Sequence, residues 1–501
     1  MDLVWRRMPI VGAVMAVAGL VLMASPLHLA GAVAVVLGVV ILGLAAPDYG
    51  LLAILVLFPL HPLAARVIQA DFGVAGTALL VFSTWKEMAL AAVLAGQIGR
   101  LLAQHSSLRD VRLHFIDLVA AALVVIVAFG LVLHHGALAL NETRLLLFPI
   151  GVYLATRLSR LSVKRYFEAV AVVAIGIAAF LIFQSSLLGW DFITRYWGSA
   201  QNPVPFTFQA SALIGPRGAG TFASPNEAAL ALAVWVCMLG AAVLVLKEWR
   251  RWRAVALGVV LVAVALTFSR TGIFGALAAL TVVAVAVGWT AGFKPKQGLA
   301  LFLVAVFAAV SVSGVIYSQR GGLELLKRTV VSLSASTDSE NDPNAPIDTS
   351  IDTSTDTSTD IHLQSLGNAL NVIASHPLGV GLGSVGARAV PLSGEKPDYI
   401  IESWYFTEGV SLGWLGLAWA FLVPIAFGAV AILAIRRGKG FVGYALLGTA
   451  VVVGCVSFLL PTMAQPQVAM IPWSVAGFAV GAGSLVADRR AGAPESPETS
   501  Q

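Results

Sequence analysis

The chain has 501 residues, of which 58% are hydrophobic and only 11% are charged, and its mean hydropathy is +0.88. A soluble domain of this size could not bury so much apolar surface, and the short alternating segments of an outer-membrane β-barrel are absent. The formal net charge of +5 requires no nucleic-acid partner, because basic residues at the cytoplasmic ends of membrane helices account for it. These properties predict an all-α, polytopic integral membrane protein, with the lipid bilayer as its first partner.

Apolar runs follow one another along the chain, each near the roughly 20 residues that cross a bilayer. Backbone amides in lipid must be bonded within their own segment, so each run predicts a helix, about fourteen in all. The first run follows Trp5-Arg6-Arg7 without a clear cleavage site, which indicates an uncleaved span rather than a signal peptide. The predicted spans are 9–24, 28–46, 50–65, 76–98, 115–134, 144–156, 167–189, 226–246, 254–269, 271–290, 298–317, 404–434, 441–460 and 468–486.

The distribution of basic residues between the loops predicts the orientation, because cytoplasmic loops are enriched in Lys and Arg. With a cytoplasmic N-terminus, the basic even-numbered loops face inward and the two long loops, 190–225 and 318–403, face outside. We therefore expect a multi-pass protein of the inner or plasma membrane with both termini in the cytoplasm. The even-numbered loops carry Arg100, Arg109, Arg112, Arg157, Arg160, Lys164, Arg165, Lys247, Arg250, Arg251, Arg253, Lys294, Lys296, Arg436, Arg437 and Lys439.

Between Asp348 and Asp360, an aspartate recurs at every fourth residue among Ser and Thr. Because Ser, Thr and Asp are weak helix formers, residues 338–360 are predicted to be a disordered tether, with a calcium-binding strip as the alternative. The expected parts of the chain are the N-terminal helices 1–189, the first long loop 190–225, the helices 226–317, the large loop 318–403, the C-terminal helices 404–486 and a cytoplasmic tail 487–501.

Three ionisable residues fall at the predicted outer ends of spans, where a charge is a functional candidate because of its cost in lipid. Arg217 precedes the eighth span, Arg270 lies in the tight turn between spans nine and ten, and Glu402 opens span twelve. Two guanidiniums from different helices suit a phosphate or diphosphate, since each offers a planar fork of donors. The alternative is structural: snorkelling of the arginines, or an Arg–Glu pair that fixes helix packing.

The chain resembles the O-antigen ligase/polymerase family through four motifs in order, over roughly residues 215–420. These are Gly218-Ala-Gly-Thr-Phe-Ala-Ser-Pro-Asn226, Phe268-Ser-Arg-Thr-Gly272, His376-Pro-Leu-Gly-Val-Gly-Leu-Gly383 and Glu402-Ser-Trp-Tyr-Phe406 with Leu412-Gly-Trp-Leu-Gly416. The resemblance implies an inverting glycosyltransferase with a polyprenyl-diphosphate-linked saccharide as donor. The acceptor would be a core saccharide in ligases and a second lipid-linked repeat unit in polymerases.

By this resemblance, Arg217 and Arg270 bind the diphosphate and stabilise the leaving group, so that no metal or other cofactor is needed. Ligases have a histidine at the head of span twelve, where this chain has Glu402. Glu402 is the expected catalytic base or acceptor-orienting group, and the departure favours a polymerase or a related transferase. Further expected substrate-binding residues are Asn226, Tyr405, Trp197 and His376.

Several of these residues also have a structural interpretation. His362 and His376 suit solvated or helix-capping roles, and the aromatic residues of the first long loop suit either a saccharide floor or a membrane-interface belt. Lys86 and Glu87, inside the fourth span, are predicted to point apart and to need partners on other helices. The aromatic residues are Trp190, Phe192, Tyr196, Trp197, Phe206 and Phe208.

A transporter is the main alternative function, as a flippase of lipid-linked oligosaccharide or a small-anion carrier. The lack of visible repeats, the long outer loops and the outer rather than midplane arginines favour the enzyme. An oligosaccharyltransferase or mannosyltransferase type would place carboxylates in the first outer loop, and Ser25-Pro-Leu-His28 has none.

Overall fold

The computed structural model describes residues 2–103, 113–133, 136–198, 209–211, 215–291, 303, 354–385 and 401–481. It confirms the all-α polytopic fold: ten helices in these ranges are long and apolar enough to cross a membrane. Two shorter apolar helices, Arg7–Met23 and Pro466–Val480, coincide with the first and last predicted spans. Apart from residue 303, the predicted eleventh span lies outside the described residues, and the count of fourteen stays a prediction. Also outside these ranges are Arg109, Arg112, Phe206, Phe208, Lys294, Lys296, 338–353 and the tail 487–501.

The helices follow the predicted spans closely, and short irregular turns interrupt some of them. The third predicted span contains a 3₁₀ turn, Phe58–Leu60, and the seventh contains a π-helical turn, Gln184–Leu188. Two short antiparallel strands, β1 (Gln209–Ser211) and β2 (Gly215–Pro216), precede α11. The helices are α1 (Asp2–Met23), α2 (His28–Ala45), α3 (Pro47–Leu57), α4 (His61–Phe72), α5 (Gly76–Ser83), α6 (Trp85–Ala103), α7 (Phe115–Leu133), α8 (Ala137–Leu158), α9 (Val163–Phe183), α10 (Gly189–Trp197), α11 (Pro225–Val245), α12 (Arg250–Leu266), α13 (Arg270–Ala291), α14 (Ser354–Ser375), α15 (Trp404–Arg436), α16 (Gly440–Leu459) and α17 (Pro466–Val480).

Two predicted loops contain helix. The seventh span continues through the π-helical turn into α10, so the first long loop loses its first eight residues, 190–197, to a helix. The prediction of a disordered tether is wrong for residues 354–360, which form the first turns of α14. Their weak helix propensity is outweighed by the helix that continues behind them, which packs against α15.

Helix α11 occupies the centre of the bundle. In its apolar stretch 94% of the residues are buried, and it packs against α12, α13 and α16. A helix that is apolar on all sides is expected in such a position. Close packing is reached through small residues: a Cβ atom on Gly272 of α13 would lie 2.5 Å from that of Ala229. The heads of α11 and α13 are therefore held side by side.

Polar contacts gather the even-numbered loops at one end of the bundle. Asp48 accepts hydrogen bonds from Nη1 of Arg100 at 2.7 Å and from Oγ of Ser159 at 2.8 Å, which joins loops two, four and six. This grouping agrees with the loop charge pattern. That this end of the bundle faces the cytoplasm stays a prediction. The same end contains the contacts of Lys164 with Glu248 and of Arg437 with His114.

We call the opposite end the outer end, following the predicted orientation. There α10 is fastened to α4, because Asp71 accepts hydrogen bonds from Arg195 (2.5 and 3.1 Å) and from the Tyr196 hydroxyl (2.8 Å). The amphipathic α10 buries Ile193 and Trp197 and turns its polar residues away. This packing places Trp197 beside the loop that leads into α11.

Candidate functional site

The first family motif forms a buried loop at the outer end. The Oε1 atom of Gln184, in the π-helical turn, accepts hydrogen bonds from the backbone N–H groups of Ala219 (3.0 Å) and Gly220 (2.8 Å). Thr221 donates its hydroxyl to the carbonyl of Pro59, at the 3₁₀ turn between α3 and α4. Irregular backbone inside a membrane protein requires such partners. The loop is thereby fixed against two other spans.

Arg217 lies at the start of this loop and is fixed by two hydrogen bonds. Its Nε donates to the Thr267 carbonyl at 2.9 Å and its Nη2 donates to Oδ1 of Asn226 at 2.8 Å. The next residue, Gly218, donates its N–H to the carbonyl of Leu266 at 2.9 Å. The half-buried guanidinium is thus held between the end of α12 and the head of α11.

Arg270 is the first residue of α13 and projects from the turn to which Arg217 is bonded. The turn is tight: Phe268 has φ +50°, and the Ser269 hydroxyl accepts the N–H of Gly272 at 3.3 Å. Arg270 is exposed, and its guanidinium has no hydrogen bond or ion pair to the residues that the structure describes. The structure therefore brings both predicted arginines to one turn, one fixed and one reaching outward.

Glu402 lies at the same end of the bundle, across the end of α16 from the arginines. Its N–H donates to the hydroxyl of Ser365 in α14 at 3.3 Å, and its carboxylate is partly exposed. The hydroxyl of the next residue, Ser403, donates to the carbonyl of Ser457 in α16 at 3.4 Å. Gly275 of α13 packs against Val456, the residue before Ser457. Helix α16 therefore separates the Arg270 turn from the head of α15.

The other predicted substrate-binding residues, apart from Asn226, lie in structural surroundings. Tyr405 is 1% exposed, and its hydroxyl donates to the carbonyls of Val453 and Gly454 at 3.3 and 3.1 Å. Trp197 packs on Ala219 and supports the buried loop. His376 is exposed at the end of α14, with Nδ1 3.3 Å from the carbonyl of Val372, as expected for a helix cap.

A buried carboxylate that the sequence analysis missed lies directly after Asn226. Glu227 is 6% exposed, and its Oε2 accepts a hydrogen bond from Nε2 of Gln467 in α17 at 2.9 Å. Ser224 caps α11 by accepting the N–H of Glu227 at 3.3 Å. The spacing Ser-x-x-Glu is that of a capping box, and this signal marks Glu227 in the sequence. The carboxylate ties the head of α11 to α17.

The His376–Gly383 motif closes a break in α15. Gly413 interrupts this helix with φ 70° and ψ −158°. The motif supplies the missing partners: Val380 N–H donates to the Val410 carbonyl at 2.9 Å, and the Pro377 carbonyl accepts the N–H of Trp414 at 3.1 Å. The glycine-rich sequence is thereby explained as a backbone-to-backbone junction.

A second carboxylate missed in the sequence holds the same junction. Glu142 of α8 is fully buried and accepts hydrogen bonds from the N–H of Gly383 and, at 3.3 Å, from the hydroxyl of Ser411. Gly381 N–H donates to the Ser411 carbonyl at 3.2 Å. Glu142 thus links α8, the motif and the broken segment of α15.

Lys86 and Glu87 depart from their predicted geometry, although their burial agrees with a role inside the bundle. Their charged atoms lie 3.4 Å apart, so the two side chains contact each other and do not point apart. Residues 86 and 87 belong to the first turn of α6, where Lys86 Nζ reaches back to the carbonyl of Ser83 at 2.5 Å and so stays beside its neighbour. Glu87 has the predicted partner on another helix, Arg144 of α8, at 3.4 Å.

Among the described residues, no three His, Cys, Asp or Glu side chains are close enough to hold a metal ion. The expectation that the reaction needs no metal or cofactor stays a prediction. The charged groups that the family motifs and the head of α11 contribute at the outer end include the two arginines and the carboxylates of Glu402 and Glu227.

Comparison with known families bears directly on the turn that carries Arg270. Residues 255–421 match the family model described as O-antigen ligase. This third of the chain is similar to O-antigen ligases. The matched region includes Arg270, the 376–383 motif and Glu402, whereas Arg217 and Asn226 precede it. A search of curated proteins found no match. The resemblance recognised from the motifs is confirmed over residues 255–421, and the match supports an O-antigen ligase/polymerase-like activity in general.

Proposed function

We propose that this O-antigen ligase-like protein is an inverting glycosyltransferase of the inner or plasma membrane. It transfers a saccharide from a polyprenyl diphosphate to a sugar hydroxyl on the extracytoplasmic side. One observation carries the proposal: Arg217 is bonded to the turn that bears Arg270, and this turn lies inside the matched residues 255–421. Two guanidiniums on one turn suit the paired phosphates of such a donor.

The arginines are assigned to the leaving group. As the bond between the anomeric carbon and the diphosphate oxygen breaks, negative charge collects on the diphosphate. Fixed donors directed at developing charge stabilise the transition state without reorganising. Arg217, held by Thr267 and Asn226, is the pre-organised group, whereas the exposed Arg270 closes on the ligand from outside.

Glu402 is assigned to the acceptor. The acceptor oxygen attacks the anomeric carbon from the face opposite the diphosphate, so a single displacement inverts the configuration. The hydroxyl proton passes to the Glu402 carboxylate. The support from the structure is that the residue after Glu402 and the helix that begins at Arg270 both contact the end of α16, which places the two groups at the same end of the bundle.

A polymerase is favoured over a ligase because Glu402 stands where ligases have a histidine. Deleting the gene and separating the surface glycans on a gel tests this choice. Single-repeat glycans in the deletion strain support a polymerase, and accumulation of lipid-linked polymer without its final acceptor contradicts it.

The diphosphate role is tested by Arg217→Lys and Arg270→Lys in purified protein. Lysine keeps the charge but loses the planar fork, so transfer should fall about 10- to 100-fold. Arg195→Lys is the matched control, because Arg195 also lies at the outer end but is bonded to Asp71. If both Lys variants transfer saccharide as well as the control does, the arginines do not bind the diphosphate.

A further inference from the structure

A second cationic cluster lies inside the membrane region, on helices α6 and α8. Lys86 is 8% exposed by side chain, and its Nζ lies 3.4 Å from Oε1 of Glu87. The same carboxylate oxygen lies 3.4 Å from Nε of Arg144, whose side chain is 39% exposed. Arg144 is seven residues into α8, or about 10 Å below its outer end. Charges at this depth are functional candidates.

The cluster has an excess of positive charge. Two cations share one carboxylate, and the nearest other acid on α8, Glu142, is occupied by Gly383 and Ser411. Lys86 Nζ also lies 5.5 Å from the centre of the Phe58 ring, an apolar wall that provides no counter-charge. An unbalanced cation is costly in a medium of low dielectric constant, so the cluster favours an anion.

Polar atoms of the cluster also lack hydrogen bonds. Glu87 Oε2 and Arg144 Nε are buried, and neither has a hydrogen-bond partner among the described residues. Native proteins leave few such atoms, and each needs an explanation, of which a bound ligand is one. Because the Arg144 side chain is 39% exposed, a ligand can approach the cluster from the side of Arg144.

We infer that Lys86 and Arg144 form a second phosphate-binding site, which takes the diphosphate of a second lipid-linked saccharide. This inference rests on the proposed function. Arg144 Nη2 donates to Oδ1 of Asn141 at 2.9 Å, so the rest of the guanidinium offers donors to a ligand, and Lys86 offers a point charge. This pairing suits phosphate oxygens. A membrane-embedded anion that enters laterally from the bilayer is a lipid phosphate. A polymerase that joins two lipid-linked units must hold two diphosphates at once, and a ligase need hold only one.

The location supports a paired role. The Phe58–Leu60 turn has Lys86 against its Phe58 ring, and its Pro59 carbonyl accepts the hydroxyl of Thr221 from the buried loop after Arg217. The loop that follows Arg217 and the side chain of Lys86 therefore contact the same turn. The first site, at Arg217, would hold the leaving diphosphate and the second site, at Lys86, the diphosphate of the acceptor.

Binding of farnesyl diphosphate to the purified, detergent-solubilised protein tests the second site. The wild type should bind two molecules, and Arg144→Gln and Arg270→Gln one each. Glu87→Gln removes the only negative charge of the cluster, so it should tighten binding at the second site about tenfold, opposite in sign to Arg144→Gln. The control Lys164→Gln, in an exposed ion pair at the other end, should bind two. One molecule per wild-type chain, or no effect of Arg144→Gln, overturns the inference.

Acceptor specificity separates this inference from the proposed function. With an acceptor saccharide that lacks diphosphate, Arg144→Gln should transfer like the wild type, and with a lipid-linked acceptor its KM should rise about 10- to 100-fold. An equal loss of transfer activity with both acceptors overturns the second site. Displacement of the second farnesyl diphosphate by phosphatidylglycerol also overturns it, because it assigns the cluster to a phospholipid headgroup. A wild-type enzyme that uses neither acceptor overturns the proposed function itself.

Discussion

Replacing Gly413 by alanine should separate the 376–383 motif from α15 and lower both stability and transfer activity. The φ of 70° and ψ of −158° lie in a region that other residues occupy at a cost of about 1–3 kcal/mol. The added Cβ would collide with the carbonyl of Pro377 and lie 2.7 Å from the amide nitrogen of Gly379. Both neighbours are backbone atoms, so rotation of a side chain cannot relieve the overlap.

The magnitude follows from the hydrogen bonds that must separate. The bonds from Val380, Gly381 and Trp414 join the motif to α15, and each contributes about 0.5–1.5 kcal/mol. Together with the backbone strain, their loss corresponds to at most about 2.5–7.5 kcal/mol. Activity should fall as well, because α14, which leads into the motif, positions the backbone of Glu402 through Ser365.

The assay is thermal unfolding of the purified protein in detergent, followed by intrinsic fluorescence, together with saccharide transfer. Gly413→Ala should melt at least about 5 °C below the wild type. Gly428→Ala, in the same helix, is the matched control. Apart from the backbone of its own helix turn, nothing lies within 4 Å of its added Cβ, and alanine favours a helix over glycine by about 1 kcal/mol. Wild-type melting and activity of Gly413→Ala would refute the coupling between motif and helix.

Three further predictions concern the outer end. Glu402→Gln should lower turnover at least about 100-fold with unchanged melting temperature, and a variant that melts early but turns over normally would assign Glu402 a structural role. Glu227→Gln keeps an acceptor for the Gln467 amide, so its transfer activity should stay within about threefold of the wild type. Gln467→Glu places two carboxylates together and should destabilise the protein by about 1–3 kcal/mol. A loss of transfer activity beyond threefold in Glu227→Gln would make the charge of Glu227 part of the reaction. In a cysteine-free background, Ser375→Cys should react with an impermeant thiol reagent in intact cells and Lys439→Cys only after lysis, and the reverse pattern would invert the orientation.

Local features of the sequence were sufficient for the membrane fold. The hydropathy of a segment depends only on residues that are adjacent in the chain, so a single sequence is enough to locate the membrane helices. The basic loops meet at one end of the bundle, as their charge pattern indicates. The motifs likewise indicated that Arg217 and Arg270 belong together. Their shared location depends on a contact from Arg217 to Thr267, which only the folded chain provides.

Contacts between distant residues could not be predicted from a single sequence. Glu227 and Gln467 are 240 residues apart, and Glu142 lies 241 residues before Gly383. Gln184 belongs to none of the motifs, yet it holds the buried loop through backbone amides. Such residues resemble ordinary polar positions in an apolar chain until their partners are known.

The central position of α11 has a consequence for biosynthesis. In the folded protein almost none of this helix is exposed to lipid. Contact with lipid in the folded state therefore does not explain why the helix is apolar on all sides. During synthesis, however, α11 leaves the ribosome before α12, α13 and α16, the helices that later cover it. It must therefore enter the bilayer on its own hydrophobicity and exchange lipid for protein neighbours afterwards. The apolar sequence of α11 is thus needed first for insertion into the bilayer and only later for packing against the other helices.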